Sequence, residues 1–348
     1  MSILVAMSGG VDSSVSAFLM REKHGVCVGA TMLLADDGGN NINDARSVCE
    51  ALGIGHEVID LRGMFRDEVI RRFVEVYESG GTPNPCIDCN RFMKFGEFVG
   101  HARAAGHDMI ATGHYARIER DSSGRWLLRK AVDLSRDQSY VLYMMTQDVL
   151  AHTEFPLGGM LKSDVRDMAA SLGFTNARKH DSQDICFVPD GDYAGFIESY
   201  TGKVYPPGDF VDTNGNILGT HRGIIHYTAG QRRGLGVAAK SRLYVSRIDP
   251  AMNTVTLAPE TDAGLLARGV VVRDVNLVAC ETLPGNFRAG VKVRYRQREI
   301  PCVANQAGPG EIVIEFTEAV RSPAVGQAAV MYDGEYVIGG GTVSGVMG

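Results

Sequence analysis

The chain opens with Ile3-Leu4-Val5-Ala6-Met7, followed by Ser8-Gly9-Gly10-Val11-Asp12-Ser13-Ser14, which commits it to a tight turn between a buried strand and a helix. The apolar run has the length of a buried strand, and Val11, Val15, Phe18 and Leu19 then recur at helical spacing. The two glycines fall in the turn, where the missing Cβ lets the backbone come close to a ligand. Such a turn aims backbone N–H groups and the positive end of a helix at an anion, with hydroxyls from Ser8, Ser13 and Ser14 alongside. It predicts a phosphate cradle. No Gly-Lys-Ser/Thr follows at the P-loop spacing, and the third glycine of a dinucleotide fingerprint is missing.

Further along, Val26 to Leu34, Glu57 to Asp60 and Met109 to Thr112 read as strands. Asn43 to Leu52, Phe65 to Val76 and Phe92 to Ala105 read as the helices between them. This alternation predicts an α/β fold with a doubly wound parallel sheet, whose ligands bind at the carboxyl ends of the strands. Thr112-Gly113-His114-Tyr115 follows one such end. Ala116 to Arg120 and Arg125 to Lys130 look like a hairpin, and Ser163 to Leu172 like a capped helix. From about Gly202 helical periodicity gives way to short alternating runs, among them Leu243 to Ile248, Val291 to Tyr295 and Ala328 to Tyr332, separated by Pro, Gly and Asn. That pattern predicts two small β-rich, barrel-like domains. The expected organisation is a catalytic domain over 1–200, a central β-rich domain over 201–264 and a C-terminal β-barrel over 265–348, since 348 residues exceed one comfortable core.

No apolar stretch approaches a bilayer span, and the N-terminus lacks a basic segment followed by a long apolar one, so a cytoplasmic protein without a membrane partner is expected. Seven cysteines, an odd number, argue for reduced, metal-bound or reactive thiols. Cys27, Cys49, Cys280 and Cys302 lie in apolar patterns and read as small buried hydrophobes. Thr82-Pro83-Asn84-Pro85-Cys86-Ile87-Asp88-Cys89-Asn90 is different. Its prolines are expected to keep Cys86 and Cys89 on a loop before a helix beginning near Asn90. A thiol at a helix N-terminus is pushed toward the thiolate. By itself the Cys-x-x-Cys pair leaves half a zinc site, a redox pair and a cluster site open, and no second pair supplies further zinc ligands.

Lys and Arg number 35 against 41 Asp and Glu, a net charge of −6 that would repel a polyanion if spread evenly. It is concentrated instead. Arg222, Arg232, Arg233, Lys240, Arg242 and Arg247 occur with no acid among them, and Arg288, Lys292, Arg294, Arg296 and Arg298 form a second cluster. In a strand Lys292, Arg294 and Arg296 would share one face, a stripe suited to a phosphate backbone, with Tyr295 opposite.

The opening turn resembles the PP-loop, Ser-Gly-Gly-x-Asp-Ser, at every defining position. Behind it follow Thr82-Pro83-Asn84-Pro85 with Cys89-Asn90 and Lys94-Phe95, then Ala111 to Arg117 and Asp137-Gln138-Ser139-Tyr140. Ile185-Cys186-Phe187 and Tyr227 to Gly236 complete the order. Together they resemble the bacterial tRNA-specific 2-thiouridylases across nearly the whole chain. The resemblance implies ATP with Mg2+, held by Ala6, Met7, Ser8, Gly9, Gly10, Val11, Asp12 and Ser13, with Met32 and Gly113 near the adenosine. It implies adenylation of the C2 oxygen of uridine 34, the wobble base, then sulfur delivery from a persulfide on Cys186, with Cys89 completing the exchange. The sulfur donor or relay would be a protein such as a cysteine desulfurase. Asn84, Pro85, Cys86, His114, Arg136, Asp137, Gln138, Arg294, Tyr295 and Gln327 are the positions the resemblance sets against tRNA.

Cys86 departs from the pattern, because well-known members carry an aspartate there. Cys86, Cys89 and Cys186 are three thiols that could hold a [4Fe-4S] cluster with one iron open to sulfide. Persulfide and cluster routes both stay open at this level. Two rival classes are a PP-loop synthetase that adenylates a small molecule and a non-enzymatic iron–sulfur or redox protein.

Overall fold

The computed structural model describes residues 1–35, 39–174, 176–177, 185–188 and 190–348. Its first sheet has five parallel strands in the order β3-β2-β1-β4-β7. These are β1 (Ile3–Ala6), β2 (Cys27–Leu33), β3 (Gly55–Asp60), β4 (Met109–Ala111) and, beyond a hairpin of β5 (Ala116–Arg120) and β6 (Trp126–Lys130), β7 (Thr153–Glu154). All four residues of β1 are buried because the strand is covered on both faces. Successive side chains point to opposite sides, so Ile3 and Val5 join a core with Val15, Val48 and Val165, while Leu4 and Ala6 join one with Phe95, Phe98 and Val99. The expected doubly wound α/β sheet is therefore present.

A second, four-stranded sheet contains β8 (Gly208–Val211), β9 (Ile217–His221), β10 (Leu243–Asp249) and β11 (Thr254–Pro259), in the order β10-β11-β8-β9. The last part is a closed barrel of β12 (Leu266–Leu277), β13 (Phe287–Lys292), β14 (Ile300–Gly308), β15 (Glu311–Arg321), β16 (Ala328–Asp333) and β17 (Tyr336–Met347). Pairing of β12 with β17 closes it. Among the described residues no helix is long and apolar enough to cross a membrane.

Several local expectations are corrected. The helix expected near Asn90 starts at Pro85 and runs over 85–104, so Cys86 lies in its first turn and Cys89 one turn in. Proline is well suited to a helix's first position, where its missing N–H has no intrahelical partner anyway. The helix expected from Ser163 begins one residue earlier, at Lys162, and its N-cap Leu161 makes no side-chain cap. β13 ends at Lys292, so Arg294 and Arg296 do not extend a strand stripe. The hairpin β5–β6 leaves the parallel sheet and pairs through Arg129 with Tyr336 of the barrel.

That hairpin is also locked by close backbone packing. A Cβ on Gly158 would overlap the Ala116 carbonyl, and the Gly158 carbonyl accepts from Val132 N–H at 3.0 Å. A Cβ on Gly159 would meet nothing within 4 Å. Gly158→Ala is therefore expected to lower stability by about 2–3 kcal/mol through overpacking. Gly159→Ala should change it by less than about 0.5 kcal/mol. Urea denaturation checks both, and equal midpoints for the two variants would contradict this packing.

Candidate active site at the glycine turn and the cysteine crevice

The Ser8–Ser13 turn joins β1 to α1 (Val11–His24). Gly9 has φ +69° and presses on the backbone of Asn41, where a Cβ would come within 2.5 Å of its carbonyl oxygen, so a side chain here is excluded twice over. The turn is tied by its own hydroxyls. Ser13 Oγ accepts from Ser8 N–H at 3.2 Å and donates to the Gly10 carbonyl at 2.9 Å, and Ser14 Oγ donates to the same carbonyl at 2.9 Å. Met7 N–H donates to Ala30 of β2 at 2.8 Å, and half-buried Met32 lies further along that strand. Gly113 packs on Asp12 and Ser13, with 3.1 Å available to a Cβ, which brings the end of β4 against the first turn of α1.

Two residues that sequence reasoning missed complete this region. Asn176 donates through Nδ2 to Ser14 Oγ at 2.8 Å and to the Gly9 carbonyl at 3.1 Å. Lys162 Nζ lies 2.8 Å from both carboxylate oxygens of Asp12, and Tyr115 Oη donates to Asp12 Oδ1 at 2.8 Å. Neither Lys162 nor Asn176 sits in a marked local pattern. Their roles come from contacts about 150 residues long in sequence, which periodicity does not register.

Cys86, Cys89 and Cys186 come together. Cys86 and Cys186 reach solvent and Cys89 is half-buried, and Cys86 and Cys186 both lie close enough to Cys89 to raise its pKa, as Cys86 does that of Cys186. Cys186 is held by a turn in which Val188 N–H donates to Ile185 O at 2.8 Å. Phe187 anchors that turn by edge contacts to Phe65 and Phe73, at 5.7 and 5.2 Å between centroids. The expected thiolate character is corrected. Burial pushes the Cys86 and Cys186 thiols up and takes Cys89 to about 11, outweighing the helix end and the opposing Lys94 ammonium. Lys94 follows Cys89 by five residues, and the π-wound stretch Cys89–Glu97 turns it toward that side through i→i+5 hydrogen bonding. Among the described residues no group of three or more His, Cys, Asp or Glu side chains is placed to hold a metal ion.

The residues set against RNA divide in two. Tyr295 Oη donates to the Asp137 carbonyl at 3.1 Å, and Cys86 and Arg136 lie close enough to shift its pKa, so Cys86, Arg136, Asp137 and Tyr295 form one wall between sheet and barrel. Gln138 joins it by accepting from Tyr115 N–H at 3.0 Å. Asn84 and Pro85 begin the cysteine helix. The others are engaged in hydrogen bonds within the protein. His114 is buried, its Nδ1 2.7 Å from Thr112 Oγ1 and its Nε2 3.4 Å from Lys94 Nζ, and burial with the Lys94 charge holds its pKa well below the usual range. Arg294 donates to the carbonyls of Ser322 and Ala229 at 2.6 and 3.3 Å, and Gln327 to those of Thr82 and Pro83 at 3.0 Å each. Of these three, His114 is enclosed, whereas Arg294 is exposed and Gln327 half-buried, each tied by its hydrogen bonds to backbone carbonyls.

Residues 1–190 match a family model described as the tRNA methyl transferase HUP domain, 194–259 the tRNA methyl transferase PRC-barrel domain, and 267–343 the aminomethyltransferase beta-barrel domain. The chain is 42% identical over 353 residues to the tRNA-specific 2-thiouridylase MnmA of Clostridioides difficile, an alignment covering 98% of this chain and 97% of that one. It is 44% identical over 355 residues to the protein of the same name from Acetivibrio thermocellus, covering 98% of each. The turn, the clustered thiols and the full-length matches agree, and the chain belongs to the tRNA-specific 2-thiouridylase family.

Proposed function

We propose that this chain converts uridine 34 of tRNA to 2-thiouridine, using ATP to activate the C2 oxygen and a persulfide on Cys186 to deliver sulfur. One observation carries the reading: the phosphate-type turn is connected to the three thiols through Gly113, His114 and Lys94. Two family models bear the words methyl transferase, but an adenylate-forming turn beside paired cysteines serves thiolation and has no task in methyl transfer.

ATP lies along Ala6 to Ser13, with Met32 and Gly113 toward the adenosine. Mg2+ carried in with the nucleotide would neutralise phosphate charge at this turn. Uracil C2–O is a poor leaving group until adenylated. The terminal sulfur on Cys186 then attacks C2, and AMP departs with the C–O bonding pair. Cys89 attacks Cys186 Sγ, breaking the S–S bond, so the sulfane sulfur is reduced to the thiocarbonyl while two thiols become a disulfide. Burial keeps the resting thiols protonated and inert until the donor, a protein such as a cysteine desulfurase, loads Cys186. Catalysis falls to residues 1–200, and RNA is gripped by 201–264 and 265–348. The need for tRNA and ATP sets the work in the cytoplasm.

Iron-free protein given ATP, unmodified tRNA and a persulfide donor is expected to yield AMP, pyrophosphate and 2-thiouridine. Cys89→Ser and Cys186→Ser should be inactive, and Cys86→Asp active. Thiolation only by an iron-loaded form would replace the persulfide route with a cluster at Cys86, Cys89 and Cys186.

Cys89 carries the sign of its burial. Its pKa is raised to about 11, so the reactive thiolate grows with alkalinity toward that value. Iodoacetamide labelling of Cys89 in the resting enzyme should accelerate roughly tenfold per pH unit between about pH 7 and 10. A plateau near pH 8 would contradict the desolvated thiol.

RNA binding separates two arginines. Both are exposed, and Arg296→Ala should reduce the log–log salt slope of tRNA binding by about one unit. Arg294→Ala should instead lower the thermal midpoint, because two carbonyls lose their donor. The reverse pattern in filter binding and calorimetry would move the RNA track to Arg294.

A further inference from the structure

Lys162 begins the helix Lys162–Ser171, and its side chain is only 8% exposed. A buried ammonium is costly unless paired, and this one is paired with a residue of the phosphate turn. Nζ stands 2.8 Å from Asp12 Oδ1 and 2.8 Å from Oδ2. The Tyr115 hydroxyl takes another site on Oδ1, and the Tyr115 ring lies 5.8 Å from the ammonium. The lysine backbone is fixed too, its N–H donating to Asp133 Oδ2 at 3.0 Å. A carboxylate has about four lone-pair sites, and donors already occupy three here. An ammonium in van der Waals reach of both oxygens opposes a divalent ion at the fourth. Asp12 is therefore a poor metal ligand as arranged, although it is the acid of the turn.

We propose that Lys162 is a further catalytic residue, the cation that binds the pyrophosphate end of ATP, and that Asp12 is its positioning residue rather than a ligand of Mg2+; this rests on the adenylation reading above. In the adenylation step the uracil C2 oxygen attacks the α-phosphorus. The bond from that phosphorus to the α,β-bridging oxygen breaks, its electron pair leaves on pyrophosphate, and the uracil N3 proton passes to solvent. Negative charge grows on the bridging oxygen, where a preorganised ammonium in a dry site acts most strongly. The Asp12 carboxylate holds that ammonium at the mouth of α1, and its own charge, neutralised by Lys162 and Tyr115, no longer repels the phosphates.

The test uses full-length Lys162→Met, Lys162→Arg, Asp12→Asn and the Asp12→Asn/Lys162→Met double variant. Calorimetry measures inorganic pyrophosphate and AMP separately, and tRNA-dependent pyrophosphate release is followed against Mg2+ concentration. Lys162→Met should weaken pyrophosphate about tenfold while AMP binding stays within about twofold. It should slow release about 100-fold, as loss of one charge-stabilising donor does. Lys162→Arg should restore part of the pyrophosphate affinity. Asp12→Asn should match Lys162→Met with an unchanged Mg2+ half-saturation, and the double variant should be no worse than either single, since the pair acts as a unit. If Lys162→Met proves unstable, the double variant, which leaves neither charge alone, carries the same comparison. Parent-like pyrophosphate affinity in that variant, or an Asp12→Asn enzyme needing several-fold more Mg2+, overturns the proposal. A parent enzyme releasing no pyrophosphate with tRNA overturns the adenylation reading instead, and the binding arm still decides Lys162.

Discussion

Leu128, Tyr140 and Tyr143 are buried in one core with Val330, Tyr332 and Val337 of the barrel, and the same core takes in Phe95 and Phe98 of the cysteine helix. The nucleotide sheet and the barrel therefore cannot shift independently without exposing apolar surface, at about 25 cal/mol per Å2. Polar staples set the register of that contact. Tyr140 Oη donates to the Ala328 carbonyl at 2.8 Å, Asn276 Nδ2 to the carbonyls of Tyr143 and Met145, and Arg125 to those of Leu277, Val278 and Cys280.

Desolvation then decides the chemistry at the site. The cysteine helix would lower thiol pKa values if its end were solvated, yet burial raises all three and leaves Lys94 as an opposing charge. His114 is neutral for the same reason, so the Lys94 ammonium donates to it rather than competing with a second cation. At the far side of the turn the Lys162 ammonium is paired with Asp12. The net charge of −6 for the whole chain thus says little about the local field an RNA meets.

Local chemistry was legible wherever it was written in adjacent residues. The Ser8–Ser13 turn, the alternation that gave the parallel sheet and the loss of helical period after Gly202 all follow from short-range steric and hydrophobic rules, and the structure repeats them. Proline at position 85 misled, because a residue that stiffens a loop also starts a helix well. The stripe at Lys292 to Arg296 misled because side-chain alternation assumes a strand that stops at Lys292.

By itself the sequence determined that a phosphate-type turn opens an α/β sheet, that β-rich domains follow, and that Cys86 and Cys89 belong together by spacing. Only the tertiary structure decided that Cys186 lies close enough to Cys89 to shift its pKa, that His114 is buried beside Lys94, that Arg294 and Gln327 donate to backbone carbonyls, and that Lys162 answers Asp12. The reason is physical. Turns and periodicity arise from neighbours along the chain, whereas burial, pKa and ion pairing arise from whatever a folded chain brings near, and those partners stand up to 245 residues away.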